Sequence, residues 1–91
     1  MDGRRITIDG KRWRLRYVPL RDADGLCDPP TKANKEIRLG RRLLRYPRRR
    51  AEILTHEILH ASLWSLTEEV VGQIADDLIR ILEQEGCLKT E

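Results

Sequence analysis

Two histidines stand four residues apart, His56 and His60, and a glutamate, Glu57, directly follows the first. On a helix this spacing puts both imidazoles on one face, close enough to share one metal ion. A carboxylate beside the first ligand can take a proton from a metal-activated water, whose pKa the ion lowers. The pattern is the H-E-x-x-H signature, which implies peptide-bond hydrolysis with zinc as cofactor and Glu57 as general base. The motif uses both histidines of the chain. In a chain this short, three fixed positions coincide by chance about once in several hundred cases.

A catalytic zinc takes three protein ligands and leaves one position open. With no third histidine, the remaining ligand has to be a carboxylate or a thiolate. Glu68 and Glu69 are the natural candidates. They open the next apolar-periodic segment, and a short connection would make the two helices antiparallel neighbours. On a helical wheel Glu68 lies nearer the apolar stripe. Asp76 and Asp77 fall two turns further on and are expected in solvent. Cys27 reads as an ordinary loop cysteine.

These groups need elements to hold them. From Arg48 to about Leu66, Ile53, Leu54, Ile58, Ala61 and Trp64 recur as one helical stripe, with Leu63 beside it. Pro47 interrupts the basic stretch before it. A second helix begins near Thr67, a plausible N-cap, and carries Val71, Ile74, Ala75, Leu78, Ile81 and Leu82 at helical period up to a Gly86 cap. Upstream, residues 4–8 and 11–18 alternate as strands around Asp9-Gly10, a hairpin turn signal. Residues 19–34, with Pro19, Gly25, Pro29 and Pro30, read as a loop, and a short strand is expected at 35–39. The expected architecture is one α+β domain over residues 1–91: a short antiparallel sheet of about three strands packed by two helices.

The whole chain has 91 residues and a net charge of +3, but the charge is polarised. Residues 1–50 carry 16 Lys or Arg against 6 Asp or Glu, and residues 51–91 carry 2 against 9. The stretch Arg38–Arg50 is therefore a candidate nucleic-acid contact. Trp13 and Trp64 are read as core residues rather than stacking platforms. No apolar run approaches the 18 or so residues that would cross a bilayer, so no membrane partner is expected. Met1–Arg5 leads into no apolar segment of a secretory signal, which makes the cytoplasm the expected compartment. Cys27 and Cys87 are then expected as free thiols.

On His56-Glu57-Ile58-Leu59-His60, with a hairpin and short strand before it and a Glu-Glu helix after it, the chain resembles a minimal zincin of the gluzincin type. It is similar in plan to SprT-like and ImmA/IrrE metallopeptidases and to short HExxH proteins of phage and bacterial genomes. The run Glu69–Ala75 resembles the gluzincin third-ligand helix, which implies Glu69 as the third ligand, with Glu68 as the alternative. The resemblance also implies that Glu36, Ile37, Arg38 and Leu39 form an edge strand pairing with an extended substrate peptide. Leu59 replaces the glycine that often precedes the second histidine in the ImmA/IrrE group. Leu63 and Leu66 occupy the positions of a metzincin extension, so that class is excluded. Tyr17 and Tyr46 are the candidates for oxyanion stabilisation. The expected function is a zinc metallopeptidase acting on an intracellular protein. The alternative is a non-catalytic module, stabilised by zinc, that binds protein or nucleic acid.

Overall fold

A computed structural model describes residues 3–88. Strands β1 (Arg4–Ile8) and β2 (Lys11–Val18) form the hairpin expected from Asp9-Gly10. Asp9 and Gly10 both have positive φ, 51° and 74°, the conformation of the two-residue turn that matches strand twist. The register sets Ile6 opposite Trp13 and Arg5 opposite Arg14. Ile6, Ile8, Trp13 and Leu15 thus share one face of the ribbon, and Arg5, Arg12 and Arg14 the other.

Two further strands, β3 (Gly25–Cys27) and β4 (Glu36–Gly40), complete a sheet of order β1-β2-β4-β3. β4 runs parallel to β2 and antiparallel to β3. The α+β architecture with helices packed on a sheet is as expected. The sheet has four strands and is mixed, because β3 forms inside the segment read as a loop. Three residues are too few to show a strand period. Consequently β4 is an inner strand and not an edge: Ile37 and Leu39 are 0% exposed.

Both ends of β3 are tied down by carboxylates. Before it, Asp24 accepts from Arg42, and from Arg49 at 2.7 Å. After it, the Asp28 carboxylate accepts from Arg38 at 2.8 Å, the Glu36 backbone N–H at 2.9 Å and Lys32 at 3.3 Å. Backbone bonds reinforce both ends, from the Gly40 N–H to the Asp24 carbonyl and from the Asp28 N–H to the Glu36 carbonyl.

A 3-10 turn (Arg41–Arg45) leads from β4 into helix α1 (Pro47–Ser62), with Pro47 at the first helical position, where its missing N–H costs nothing. Ile53, Leu54 and Ile58 of α1 pack over Ile8, Trp13, Leu15, Ile37 and Leu39 of the sheet, with Ala61 and Leu43 buried among them. The helix stops at Ser62, a turn earlier than its sequence period suggests, because Leu63 leaves helical geometry (φ −129°, ψ 61°). Trp64 therefore lies outside the helix and is 48% exposed, not in the core. Helix α2 (Glu68–Gln84) begins at the expected cap, where the Thr67 hydroxyl accepts from the Val70 N–H at 3.3 Å. Gly86, at φ 72°, follows its end. Val71, Ala75 and Ile79 are its buried residues, and α2 packs on α1. No described helix is long and apolar enough to cross a membrane.

Candidate metal centre

The turn of residues 63–67 folds α2 back along α1, so the first residue of α2 meets the last turn of α1. Glu68 lies three residues before Val71 and seven before Ala75, in line with the buried stripe of α2 but exposed at its first turn. Its carboxylate reaches both histidines: Oε1 is 3.3 Å from His56 Nε2 and also contacts His60 Nε2. The two imidazole nitrogens are 3.2 Å apart. Among the described residues, His56, His60 and Glu68 form the one group of three donor side chains whose atoms converge within 4.8 Å.

This donor set fits zinc. Ligand bonds of about 2.0 Å in a tetrahedron put neighbouring donor atoms about 3.3 Å apart. The His56–His60 and His56–Glu68 separations match that edge, and the His60–Glu68 contact is closer still. The His56 imidazole, supported by His60 and opposed by some desolvation, holds the Glu68 carboxyl below its ordinary pKa, so its oxygens are available as anionic donors. Glu69, the third ligand implied by resemblance, does not belong to the group. One residue further along the helix turns a side chain by about 100°, away from the histidines. The helical wheel pointed to the residue that the fold brings in.

Glu57 sits beneath the histidines and is 7% exposed. Burial, with a smaller push from Glu68 and an opposing pull from His60, raises its pKa to about 7. A carboxyl poised near neutrality can both take and return a proton. Together with His60, Glu68 and Trp64 it lines an open cleft of about 390 Å³, whose opposite wall is Ala23, Gly25, Leu26 and Cys27. The wall is close: a Cβ on Gly25 would lie 2.9 Å from Glu57 Oε2 and from Ile53 Cγ2. Only a residue without a side chain lets β3 approach this near.

The cleft corrects the substrate-strand expectation. β4 has partners on both sides, so Glu36, Ile37, Arg38 and Leu39 offer no free backbone to a peptide. Glu36 pairs with Arg16 at 3.3 Å, and Arg38 with Asp28. The edge strand beside the histidines is β3, which sequence reasoning missed; Gly25 between Asp24 and a Cys-Asp pair was its one local mark. Cys27 lines the cleft, but burial first, then the Glu57 and Asp28 carboxylates, push its thiol up to about 12. It is thus a poor source of thiolate. Neither Tyr17 nor Tyr46 lines this cleft. Within the Arg38–Arg50 stretch, Arg42 and Arg49 hold Asp24, and Arg48 reaches Glu83 at 3.0 Å.

Compared with known protein families, with curated proteins and with solved structures, the chain shows no match.

Proposed function

We propose that this chain is a zinc-dependent metallopeptidase of the gluzincin type, with His56, His60 and Glu68 holding the metal and Glu57 as the general base. The observation that carries the reading is the convergence of a carboxylate from α2 on two imidazoles of α1, with a buried glutamate beside them. A bound zinc supplies Lewis acidity, polarising a peptide carbonyl and lowering the pKa of water. Glu57 does the proton work. Its carboxylate accepts a proton from the attacking water and returns it to the leaving amine, a task suited to a pKa near the working pH. A divalent cation nearby favours its ionised, proton-accepting form.

β3 supports the peptide side of the same reading. Its unpaired edge borders the cleft, so an extended segment can add to the sheet there by backbone hydrogen bonds. Trp64, 48% exposed, offers apolar surface at the mouth of the cleft. The substrate class is accordingly an extended or unfolded stretch of protein.

Metal content tests the reading. The purified protein should hold one zinc per chain, His56→Ala and Glu68→Ala should lose it, and Glu69→Ala should keep it. A folded wild type that takes up no added zinc rejects the assignment. Zinc retained in Glu68→Ala but lost in Glu69→Ala restores the other third ligand.

A further inference from the structure

The face of the sheet turned away from the helices carries arginine at five positions: Arg5 on β1, Arg12, Arg14 and Arg16 on β2, and Arg38 on β4. Pairing brings like charges together, with Arg5 opposite Arg14 and Arg16 opposite Arg38. Directly opposed like charges destabilise a sheet, so folding alone gives no reason for this arrangement. Among the described strand residues Glu36 is the one acid on the face, and it is engaged by Arg16 and Arg38. Arg5, Arg12 and Arg14 are exposed and form no ion pair with any described residue. They line, with Lys35 and Glu36, an open depression of about 490 Å³. None of these cations belongs to the metal centre, which lies on the opposite side of the sheet.

We infer that this face binds the phosphate backbone of a nucleic acid duplex, independently of sequence. Arg12, Arg14 and Arg16 stand about 6.6 Å apart along one strand, with neighbouring strands about 4.8 Å to either side. A rigid polyanion with regularly repeated charge meets several of them at once, whereas an acidic peptide must first order its side chains. Guanidinium groups match phosphate oxygens through paired N–H donors. Of the aromatic residues of β2, Trp13 borders the depression but is only 3% exposed, with Lys35 over its ring, and Tyr17 packs against the core. With no stacking platform, the surface lacks the feature that single-strand binders use and suits a duplex backbone.

The test is fluorescence anisotropy of a labelled DNA duplex of arbitrary sequence, titrated with the full-length chain. Four phosphate contacts predict about a 100-fold loss of affinity between 50 and 200 mM salt. The double variant Arg12→Glu/Arg14→Glu should bind at least tenfold more weakly at low salt. Arg41→Glu/Arg45→Glu changes net charge equally, on two exposed residues outside the sheet, and should bind as wild type does. His56→Ala should also bind unchanged, which separates this inference from the metal reading. Equal losses in both double variants would assign binding to net charge and overturn the site, as would the absence of salt-sensitive binding. Self-association at low salt that duplex does not reverse assigns the face to a second copy's acidic helix and overturns it too.

Discussion

Two carboxylates, Asp28 and Glu57, are the buried charged residues among those described, at 6% and 7% exposure, and their surroundings are opposite. Asp28 closes a loop. Burial alone would raise its pKa, but the Glu36 N–H, Lys32 and Arg38 outweigh that and hold it below the ordinary value. Among the described residues no such donor reaches Glu57, and burial drives it up to about 7. The residues lie on either side of β3, and Cys27 feels both of them. Equal burial therefore serves two ends. With partners it fixes a strand, and without partners it stores proton affinity where chemistry can use it.

If that contrast is right, Glu57→Gln gives the largest functional effect and one of the smallest structural ones. Loss of the general base should cut peptide hydrolysis by about 10²–10⁴-fold. Zinc stoichiometry should stay at one, and stability should change by less than about 1 kcal/mol, since no hydrogen-bond network is broken. A variant that unfolds, or that keeps full turnover, would place Glu57 in the same structural class as Asp28.

Asp28→Ala should do the reverse. Removing three donors' shared acceptor should cost about 2–3 kcal/mol, a fall in Tm of roughly 10–20 °C for a domain of this size. Zinc should still bind to the fraction that remains folded. The same carboxylate sets an acid limit. Because its folded pKa is below the unfolded one, its contribution is complete above the ordinary value of 3.8 and is lost as pH falls through the folded pKa. Asp24, lowered by Arg49 and Arg42, acts in the same direction at the other end of β3. Amide exchange at Leu26 should therefore accelerate below about pH 4 before the β1–β2 hairpin opens. Simultaneous opening of both would show that β3 is not separately held.

What could be read from the sequence follows the same division. The helices, the hairpin and the histidine pair are periodic or local, and Thr67, Pro47 and Gly86 marked their ends. β3 and the placement of β4 depend on contacts distant in sequence, between Asp28 and Arg38 or Asp24 and Arg49, which no window of residues reveals. The carboxylate that meets the histidines was within reach: the wheel position of Glu68 pointed to it, while the resemblance that favoured Glu69 carried no information about which face α2 buries. Trp64 was misplaced because a helical period continued past a chain that had already left the helix.

Two glycines sharpen the contrast at smaller scale. Gly25 is held against Glu57 by both Asp-anchored ends of β3, so Gly25→Ala forces a Cβ to 2.9 Å from Glu57 Oε2 and Ile53 Cγ2. Neither α1 nor the anchored strand yields easily, and overpacking of this kind costs about 1–3 kcal/mol. Turnover should fall more than zinc binding does if the displaced group is the proposed base and not a ligand.

Gly72 also lies beside the centre, on α2 next to His56, but with room to spare. A Cβ there would sit 3.9 Å from His56 Cε1, an ordinary contact. It occupies the interior of a helix, where replacing glycine by alanine gains about 0.5–1 kcal/mol through the unfolded chain's lost freedom. Gly72→Ala should therefore raise Tm slightly and leave one zinc per chain. Zinc lost from a more stable Gly72→Ala protein would show that α2 must move against α1 to bring Glu68 onto the histidines. An unchanged metal content would show that the two helices already hold the three ligands at their working distance.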